Sequence, residues 1–297
     1  MTDATTASAS TTPITGLPAL AFLGVGSMNG AILDGVIASG LPVADGAEGG
    51  IRTTNRSAAR ADAIAARHPG VRALAGERDP EANRHAVAGA GIVLLGVKPY
   101  QVADVLAQVR DVLAPGTIVV SIASGVTIAS IAAALPEGTA VLRVMPNTPA
   151  SVGAGVTGLA AGPGVTGAQR ALVHALFDTV GVVVELDEAR IDELSAVSGS
   201  GPAYLFAFVE ELEQAAQRIG FSAEDARVLA DQTVIGAARL LAESGRTAEE
   251  LRTAVTSPGG TTQEALAVLA RGGRVENMTE ALQAAVDRAH EMARENA

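Results

Sequence analysis

The sequence predicts an α/β protein whose first part is a parallel sheet covered by helices and whose last part is entirely helical. Up to Leu186, short apolar runs alternate with alanine-rich stretches of helical spacing. The runs are continuously apolar, as expected of parallel strands buried on both faces. A glycine-rich turn follows the first run, which favours a Rossmann-like dinucleotide-binding domain. We therefore predict this domain at 18–186 and a helical substrate and dimerisation domain at 187–297.

The composition excludes several classes of function. The chain has 297 residues, 48% of them hydrophobic but only 2% aromatic, so a large core must be built from Ala, Val, Leu and Ile. The net charge of −11 removes the basic field that binding to nucleic acid or to an anionic membrane requires. Without cysteine, disulfides and thiolate catalysis are excluded, and the four scattered histidines predict no metal site.

The N-terminal segment 1–17 is predicted to be a disordered tail. It is rich in Ser, Thr and Ala and has no Lys or Arg, which fits neither a secretory nor a mitochondrial leader. No apolar run in the sequence reaches the roughly 18 residues that a membrane helix needs. We therefore expect a cytoplasmic protein that acts on a small molecule.

The first predicted strand leads into the glycine turn. Ala19–Leu23 is apolar, Gly24–Gly30 reads GVGSMNG, and Ala31–Ala38 has helical spacing. Strand, turn and helix in this order form the context in which a GxG motif binds the pyrophosphate of a dinucleotide. Asn29 stands at the third position, where a small residue is usual, and Gly30 beside it is a candidate compensation. An ordinary tight turn is the alternative interpretation.

The second strand predicts which cofactor is used. It ends at Thr54 or Asn55, where an NAD-selective site usually has an acidic residue that binds the ribose. Here Asn55-Arg56-Ser57 follows instead, and a cation beside short polar side chains suits a 2′-phosphate. The pattern predicts NADPH, with NADH as a weaker alternative. The other interpretation is that Arg56 is a solvated surface charge.

Further strands are predicted at Val71–Leu74, Gly91–Leu95, Thr117–Ile122 and Ala140–Met145. Because ligands bind at the carboxyl ends of parallel strands, the residues that follow these runs are candidates for the site. They include Lys98, the only lysine of the sequence, the small-residue turn Ser121–Gly125, and the proline-rich segment Arg143–Pro149. A surface lysine is the alternative for Lys98.

The last part of the Rossmann-like domain and the helical half follow. Gly155–Ala161 and Val182–Leu186 are predicted strands on either side of a helix at Gly167–Val180. In the helical half, Pro202–Ile219 is too apolar for a surface helix. It either packs against a second subunit or forms the buried centre of its own domain.

Ser257–Glu264 reads SPGGTTQE and leads from a turn into a helix. Thr261 with Glu264 fits a capping box, which would leave the Thr262 hydroxyl free for another partner. Two glycines allow a ligand to approach, and the first N–H groups of a helix favour a carboxylate. The alternative is a tight turn between helices that binds nothing.

Motifs in order along the chain resemble those of the pyrroline-5-carboxylate reductase family: GVGSM, GVKP, SIASGVTI, RVMPNTP, SGSGPAY and SPGGTT. The last three are specific to the family, and the resemblance covers about residues 19–290. It implies a Rossmann-like domain and a helical domain that interlocks with a second subunit to form a homodimer, often assembled further into a decamer. It also implies NAD(P)H-dependent reduction of Δ1-pyrroline-5-carboxylate to L-proline, the last step of proline biosynthesis.

The resemblance implies which residues form the sites. The pyrophosphate contact is implied at Leu23, Gly24, Val25, Gly26, Ser27 and Met28. The adenosine ribose or its phosphate is implied at Asn55, Arg56 and Ser57, with Asn83 as a further cofactor contact. The nicotinamide side is implied at Val97, Lys98, Ala123 and Ser124, and Pro99 is a further predicted cofactor residue. The resemblance implies substrate contacts at Glu188, Thr261 and Thr262, and Gly259 and Gly260 are predicted substrate contacts from the turn itself.

Thr262 is the predicted catalytic residue. The cofactor supplies the hydride chemistry and the protein orients the reactants. A protonated imine is already electrophilic, so the site needs no strong acid, and the sequence offers no histidine or carboxylate pair there. We expect the N–H groups of Gly260 to Thr262 to bind the substrate carboxylate and the Thr262 hydroxyl to bond the ring nitrogen.

Two other classes of protein are alternatives. Reductases of the β-hydroxyacid dehydrogenase or imine reductase kind place a catalytic lysine or aspartate on the long helix after the boundary, and Pro202–Gly220 has no lysine. A non-catalytic dinucleotide-sensing protein would tolerate the loss of Thr262 and of the SPGG turn, yet both are present.

Overall fold

The computed structural model describes residues 14–46 and 49–295. The tail predicted at 1–17 therefore lies outside the described residues, apart from Ile14–Leu17. Leu17 is buried and pairs with Val43 in an isolated parallel bridge.

The described residues form an eight-stranded sheet of order β3-β2-β1-β4-β5-β6-β7-β8. The strands are β1 Leu20–Leu23, β2 Ile51–Asn55, β3 Val71–Ala75, β4 Ile92–Leu95, β5 Ile118–Ser121, β6 Ala140–Pro146, β7 Gly155–Ala161 and β8 Gly181–Glu185. All neighbours are parallel except β6 and β7. The predicted Rossmann-like sheet is confirmed.

The helices lie between and after these strands. They are α1 Ser27–Ser39, α2 Ala58–Arg67, α3 Ala82–Val87, α4 Val102–Val109, α5 Ile128–Ala133, α6 Gly167–Asp178, α7 Ile191–Leu194, α8 Gly201–Arg218, α9 Ala223–Glu243, α10 Ala248–Ala254, α11 Thr261–Ala270 and α12 Arg274–Glu295. None of the helices in the described part of the chain combines the length and hydropathy needed to cross a bilayer.

Burial explains why the strands read as continuous apolar runs. Leu20 and Phe22 of β1 belong to one hydrophobic cluster, and Ala21 and Leu23 of the same strand belong to another. Successive side chains of a strand point to opposite faces of a sheet. Both faces of β1 are therefore covered, which selects apolar residues at every position.

The reversal of β7 is the departure from a purely parallel sheet. Only the residues from Asn147 to Ala154 separate β6 from β7, and they include a 3₁₀ turn. A parallel neighbour requires a crossover of about a dozen residues or more, usually with a helix. The short connection therefore produces an antiparallel pair, and α6 then provides the crossover to a parallel β8.

The chain divides into two compact units. One runs to Gly199 and resumes at Asp287, and the other is Ser200–Val286. Ile191, beyond the boundary predicted at Leu186, is fully buried in a core cluster with residues of the sheet. The boundary at Leu186 stays a prediction.

The end of α12 belongs to the first unit, although the helix starts in the second. His290 Nε2 lies 3.8 Å from Asp192 Oδ2. A Cβ on Gly125 would lie 3.5 Å from the Cα of Ala293, so the backbone of α12 packs closely on the turn after β5.

In the second unit, α8 has no buried residue. Large apolar side chains remain exposed on it, namely Leu205, Phe206 and Phe208. An exposed apolar helix of this kind favours packing against another surface, which agrees with the first of the two interpretations drawn from the sequence.

Candidate functional site

The glycine turn after β1 requires glycine at its first position. Gly24 has φ +81°, in the left-handed region. A Cβ there would lie 2.7 Å from Val97 Cγ1 and 3.2 Å from the carbonyl oxygen of Gly96. The backbone conformation and the neighbouring strand end therefore both exclude a side chain at this position.

The turn opens directly into α1, four residues earlier than the sequence pattern indicated. The helix begins at Ser27 with Gly26 as its N-cap, makes no side-chain cap and has no acidic residue in its first turn. A Cβ on Gly26 would meet nothing within 4 Å, and both Gly26 and Ser27 are exposed. The first N–H groups of a helix have no partner within it, so this exposed end fits the anionic pyrophosphate of a dinucleotide.

Asn29 explains how α1 tolerates a larger residue at the third motif position. It is 1% exposed, and its Nδ2 donates to the carbonyl oxygen of Gly24 at 3.1 Å. A Cβ on Gly96, just after β4, would lie 2.5 Å from Asn29 Cγ. Gly96 therefore makes room for the amide. The compensation predicted at Gly30 is wrong, because a Cβ there would only meet Val25 Cγ1 at 3.9 Å.

Asn55 fixes the turn from the other side. It is 8% exposed, and its Nδ2 donates to the carbonyl oxygen of Val25 at 3.0 Å. The N–H groups of Gly24 and Val25 donate to Thr54 at 3.1 and 3.2 Å. The turn is thus held to the end of β2 before any ligand binds. Within the described residues, Asn55 Oδ1 is buried and has no hydrogen-bond partner.

Arg56 and Ser57 lie where the sequence placed them, between β2 and α2. Arg56 is exposed, and Ser57 is the N-cap of α2 but makes no side-chain cap. The first N–H of the helix, on Ala58, instead donates to Glu77 Oε2 at 2.8 Å. The sequence does not predict this role of Glu77, because Glu77 and Ala58 are 19 positions apart and no local pattern links them.

A groove of about 510 Å³ joins several of the predicted cofactor residues. Its lining combines the glycine turn, residues of α1 and α2, and the lone lysine: Val25, Gly26, Ser27, Gly30, Leu33, Asp34, Arg60, Ala63, Ile64, Arg67, His68 and Lys98. The structure therefore brings Lys98 to the turn. The cations of this groove suit a ligand with phosphate groups.

The predicted nicotinamide residues follow β4 and β5, which are neighbours in the sheet. Lys98 is exposed and Pro99 begins a 3₁₀ turn. Ala123 is buried, with its N–H donating to Ser121 Oγ at 3.2 Å, and Ser124 is exposed.

Asn83 lies on α3. Its Nδ2 donates to Gln108 Oε1 of α4 at 2.8 Å, so part of its amide is engaged within the protein.

Glu188 has partners of its own. Its Oε1 accepts from the N–H of Ile128 at 2.7 Å, the first residue of α5, and lies 3.6 Å from Arg143 Nη1. Arg143 is 5% exposed and also donates to Asp192 Oδ1 at 3.1 Å. These contacts tie the segment after β8 to the sheet and to α5. A substrate contact by Glu188 stays a prediction.

The SPGG turn precedes α11. Gly259 has φ +71°, and Gly260 is the N-cap, again without a side-chain cap. The capping box predicted for Thr261 and Glu264 is therefore wrong: the helix begins one residue earlier, because Gly260 adopts the extended conformation of an N-cap. Gln263 Oε1 instead reaches back to accept from the Gly259 N–H at 2.7 Å.

Thr261 is exposed and Thr262 is half-buried. Within the described residues, neither hydroxyl has a recorded hydrogen bond. The predicted cofactor residues all lie in the first compact unit, and Gly259 to Thr262 lie in the second. The described residues contain no group of three or more acidic or histidine side chains that could hold a metal ion.

Two family models match the chain. The model for pyrroline-5-carboxylate reductase dimerisation matches residues 188–292. The model for NADP oxidoreductases that depend on coenzyme F420 matches residues 19–125, which hold β1 to β5 and the glycine turn. The match to the dimerisation model indicates a homo-oligomer.

Curated relatives match over nearly the whole chain. The pyrroline-5-carboxylate reductase of Pseudomonas aeruginosa is 38% identical over 277 residues, covering 93% of this chain and 97% of the relative. The enzyme of that name from Mycobacterium tuberculosis is 38% identical over 300 residues, with 93% of this chain and 97% of the relative covered.

Solved structures agree with this result. The pyrroline-5-carboxylate reductase of Coxiella burnetii superposes with a TM-score of 0.84 at 39% identity, covering 92% of this chain and 97% of that chain. The pyrroline carboxylate reductase of Plasmodium falciparum, solved with NADP bound, has the same fold, with a TM-score of 0.74 at 24% identity over 93% of this chain and 98% of that chain. The predicted fold class is confirmed, and the chain belongs to the pyrroline-5-carboxylate reductase family.

Proposed function

We propose that this protein reduces 1-pyrroline-5-carboxylate to L-proline with NADPH, as the last step of proline biosynthesis. The observation that carries the proposal is the presence of two cap-free glycine turns in one chain. One opens α1 and suits a dinucleotide pyrophosphate, and the other opens α11 and suits a small carboxylate. Family membership supports it, since the named reductases match over nearly the whole chain.

The first unit holds the cofactor. The N–H groups of Ser27 and Met28 bind the pyrophosphate, Asn55 to Ser57 hold the ribose, and Val97 to Pro99 with Ala123 and Ser124 line the nicotinamide. NADPH, when bound, supplies the hydride that adds to the imine carbon. The exposed Arg56 at the end of β2 supports a preference for NADPH over NADH, because a guanidinium pairs well with a 2′-phosphate.

The second unit holds the substrate. The N–H groups of Gly260, Thr261 and Thr262 lie at the uncapped start of α11 and bind the carboxylate. The Thr262 hydroxyl, without a recorded partner among the described residues, bonds the ring nitrogen and follows it from iminium to amine. Thr262 thereby orients the imine carbon, and the protonated imine needs no further acid.

The functional unit is a homodimer, which assembles further into a decamer, in the cytoplasm. The exposed apolar side chains of α8 support the dimer, because they need a covering surface. The partner's helical half contributes to each site. An active monomer in a mass measurement would contradict this arrangement.

The direct test is an assay of the purified protein with pyrroline-5-carboxylate and either NADPH or NADH. We expect nucleotide oxidation that depends on the imine, with L-proline as the product and a higher kcat/KM for NADPH. Arg56→Ala should remove most of the preference for NADPH, with a loss of about tenfold in NADPH affinity for one phosphate contact. No proline formation with either nucleotide would overturn the proposed reaction, and equal or better use of NADH would overturn the proposed preference.

A further inference from the structure

Glu77 is the side chain that occupies the start of α2. The helix has ten residues, and its N-cap Ser57 makes no side-chain cap. The Glu77 carboxylate takes that role, since its Oε2 accepts the N–H of Ala58 at 2.8 Å. The start of a helix favours an anion, so Glu77 lies at the anion position next to Arg56.

The segment after β3 fixes Glu77 in this place. The N–H of Gly76 donates to the carbonyl oxygen of Asn55 at 2.9 Å, and that of Glu77 donates to Arg56 at 3.0 Å. Arg78 forms two bonds of 2.6 Å to the carboxylate of Asp62 on α2. The hydrogen bond from Arg78 lowers the pKa of Asp62 below its usual value, as expected of a bidentate pair.

Asn55, the last residue of β2, fixes the position from which Arg56 and Ser57 extend. Its side chain is more than nine-tenths buried, and its Oδ1 has no hydrogen-bond partner in the described part of the chain. Its Nδ2 donates to the carbonyl oxygen of Val25 at 3.0 Å, so the side chain holds the end of β2, directly before Arg56, against the glycine turn.

We propose that Glu77 determines the specificity of the cofactor site by competing with the 2′-phosphate of NADPH for the start of α2. The inference rests on the proposed binding of a nicotinamide dinucleotide by the first unit. The 2′-phosphate and the Glu77 carboxylate are both anions, and in this arrangement they compete for the same N–H group, that of Ala58. NADPH must therefore displace Glu77, whereas the 2′-hydroxyl of NADH donates a hydrogen bond to its carboxylate.

The effects of Arg56 and Glu77 on the preference for NADPH partly cancel. Arg56 favours NADPH, and Glu77 opposes it, so the ratio of the two affinities is smaller than Arg56 alone would give. Removing the charge of Glu77 while keeping its shape should expose the full effect of Arg56. Glu77→Gln does this, because the amide oxygen still accepts the Ala58 N–H.

The test is direct binding of NADPH and NADH to the purified full-length protein, measured by calorimetry for the wild type and for Glu77→Gln. We expect the ratio of the NADH Kd to the NADPH Kd to rise by roughly 3-fold to 10-fold, as removal of one nearby like charge typically gives. The rise should shrink at high salt, since the interaction is between exposed charges. Glu81→Gln, which removes an exposed carboxylate from the same segment, is the matched control and should leave the ratio unchanged.

An unchanged ratio in Glu77→Gln, or a ratio that shifts toward NADH, would overturn the role of Glu77. Glu77→Ala, which also removes the cap of α2, should raise the ratio as well, and a fall in its melting temperature would report the cap separately. The proposed preference fails independently, if the wild type binds NADH more tightly. A shift toward NADPH in Glu77→Gln would support the inference even then.

Discussion

The two glycine turns that open α1 and α11 share two backbone features and have very different surroundings. Gly24 and Gly259 are both left-handed, with φ +81° and +71°. The glycines that follow as N-caps are both extended, with φ −91° at Gly26 and −85° at Gly260, and neither helix has a side-chain cap. The turn before α1 is tied by two buried asparagine amides, one from α1 itself and one from the end of β2. The turn before α11 is largely exposed and braced by Gln263.

The difference shows that local sequence sets the conformation of such a turn, whereas the rest of the fold sets how firmly it is held. The first turn has its hydrogen-bond partners within its own unit, because the amides of Asn29 and Asn55 donate to the carbonyl oxygens of Gly24 and Val25. The second turn is supported mainly from within its own helix. Changes that disturb the asparagine contacts of the first turn should therefore affect stability, whereas changes at the exposed surface of either turn should affect ligand binding or activity.

The largest expected effect is at the second turn. Thr262→Val should lower kcat/KM for pyrroline-5-carboxylate by about 100-fold or more, because one positioned hydrogen bond to the reacting group is lost. NADPH affinity, measured by calorimetry, and the melting temperature should stay as in the wild type. Thr253→Val is the control, because the Thr253 hydroxyl donates to the carbonyl oxygen of Glu249 within the same helix, α10. A Thr262→Val enzyme with normal turnover would remove this residue from the mechanism.

The next effect is on stability at the first turn. Gly96→Ala should lower the free energy of unfolding by about 2 kcal/mol, because the new methyl group overlaps the Asn29 amide. Asn29→Ala in the same background should recover part of the loss. Urea denaturation of both single variants and the double variant gives the coupling between the two sites.

Gly30→Ala is the matched control for this pair. The same methyl group meets only Val25 Cγ1 there, at 3.9 Å, and alanine is the better helix former. Additive effects of Gly96→Ala and Asn29→Ala would mean that the two residues do not share one space.

A smaller effect concerns the ligand at the first turn. Gly26→Ala adds a methyl group that meets no protein atom within 4 Å, at an ordinary φ of −91°. We expect unchanged stability and NADPH binding weakened by about tenfold, because the methyl group stands where the pyrophosphate approaches the helix. Equal affinities of Gly26→Ala and wild type, measured by calorimetry, would place the pyrophosphate elsewhere.

The smallest effect tests the brace of the second turn. Gln263→Ala removes the acceptor of the Gly259 N–H, a bond of about 1 kcal/mol in an exposed position. The KM for pyrroline-5-carboxylate should rise by roughly fivefold at nearly constant kcat, because a loss of about 1 kcal/mol in binding free energy corresponds to that factor. An unchanged KM would show that the turn keeps its shape without Gln263.

The fold class can be predicted from the sequence because apolar runs and glycine turns are local patterns. The run Leu20–Leu23 and the turn after it were predictable from their own residues. The predicted start of α11 differs from the observed start by one residue, because a threonine followed three positions later by a glutamate resembles a capping box. The extended backbone of Gly260 makes that residue the N-cap instead.

Contacts between residues far apart in the chain could not be predicted from the sequence. Gly96 makes room for Asn29 across 67 positions, and Glu77 caps a helix that begins 19 residues earlier. The partners of Glu188 are of the same kind, since Ile128 and Arg143 become its neighbours only when the sheet forms. No motif encodes such pairs, because each residue is ordinary in its own local context.

The route of α12 has a consequence for how the chain is made. The helix ends within the unit that β1 begins, and its Ala293 packs on Gly125. A ribosome releases the C-terminal residues last, and N-terminal segments generally fold first. The turn after β5 can therefore acquire its full set of contacts only after the last turns of α12 have been translated. A deletion of the last turns of α12 would therefore disturb the turn at Gly125, far earlier in the chain.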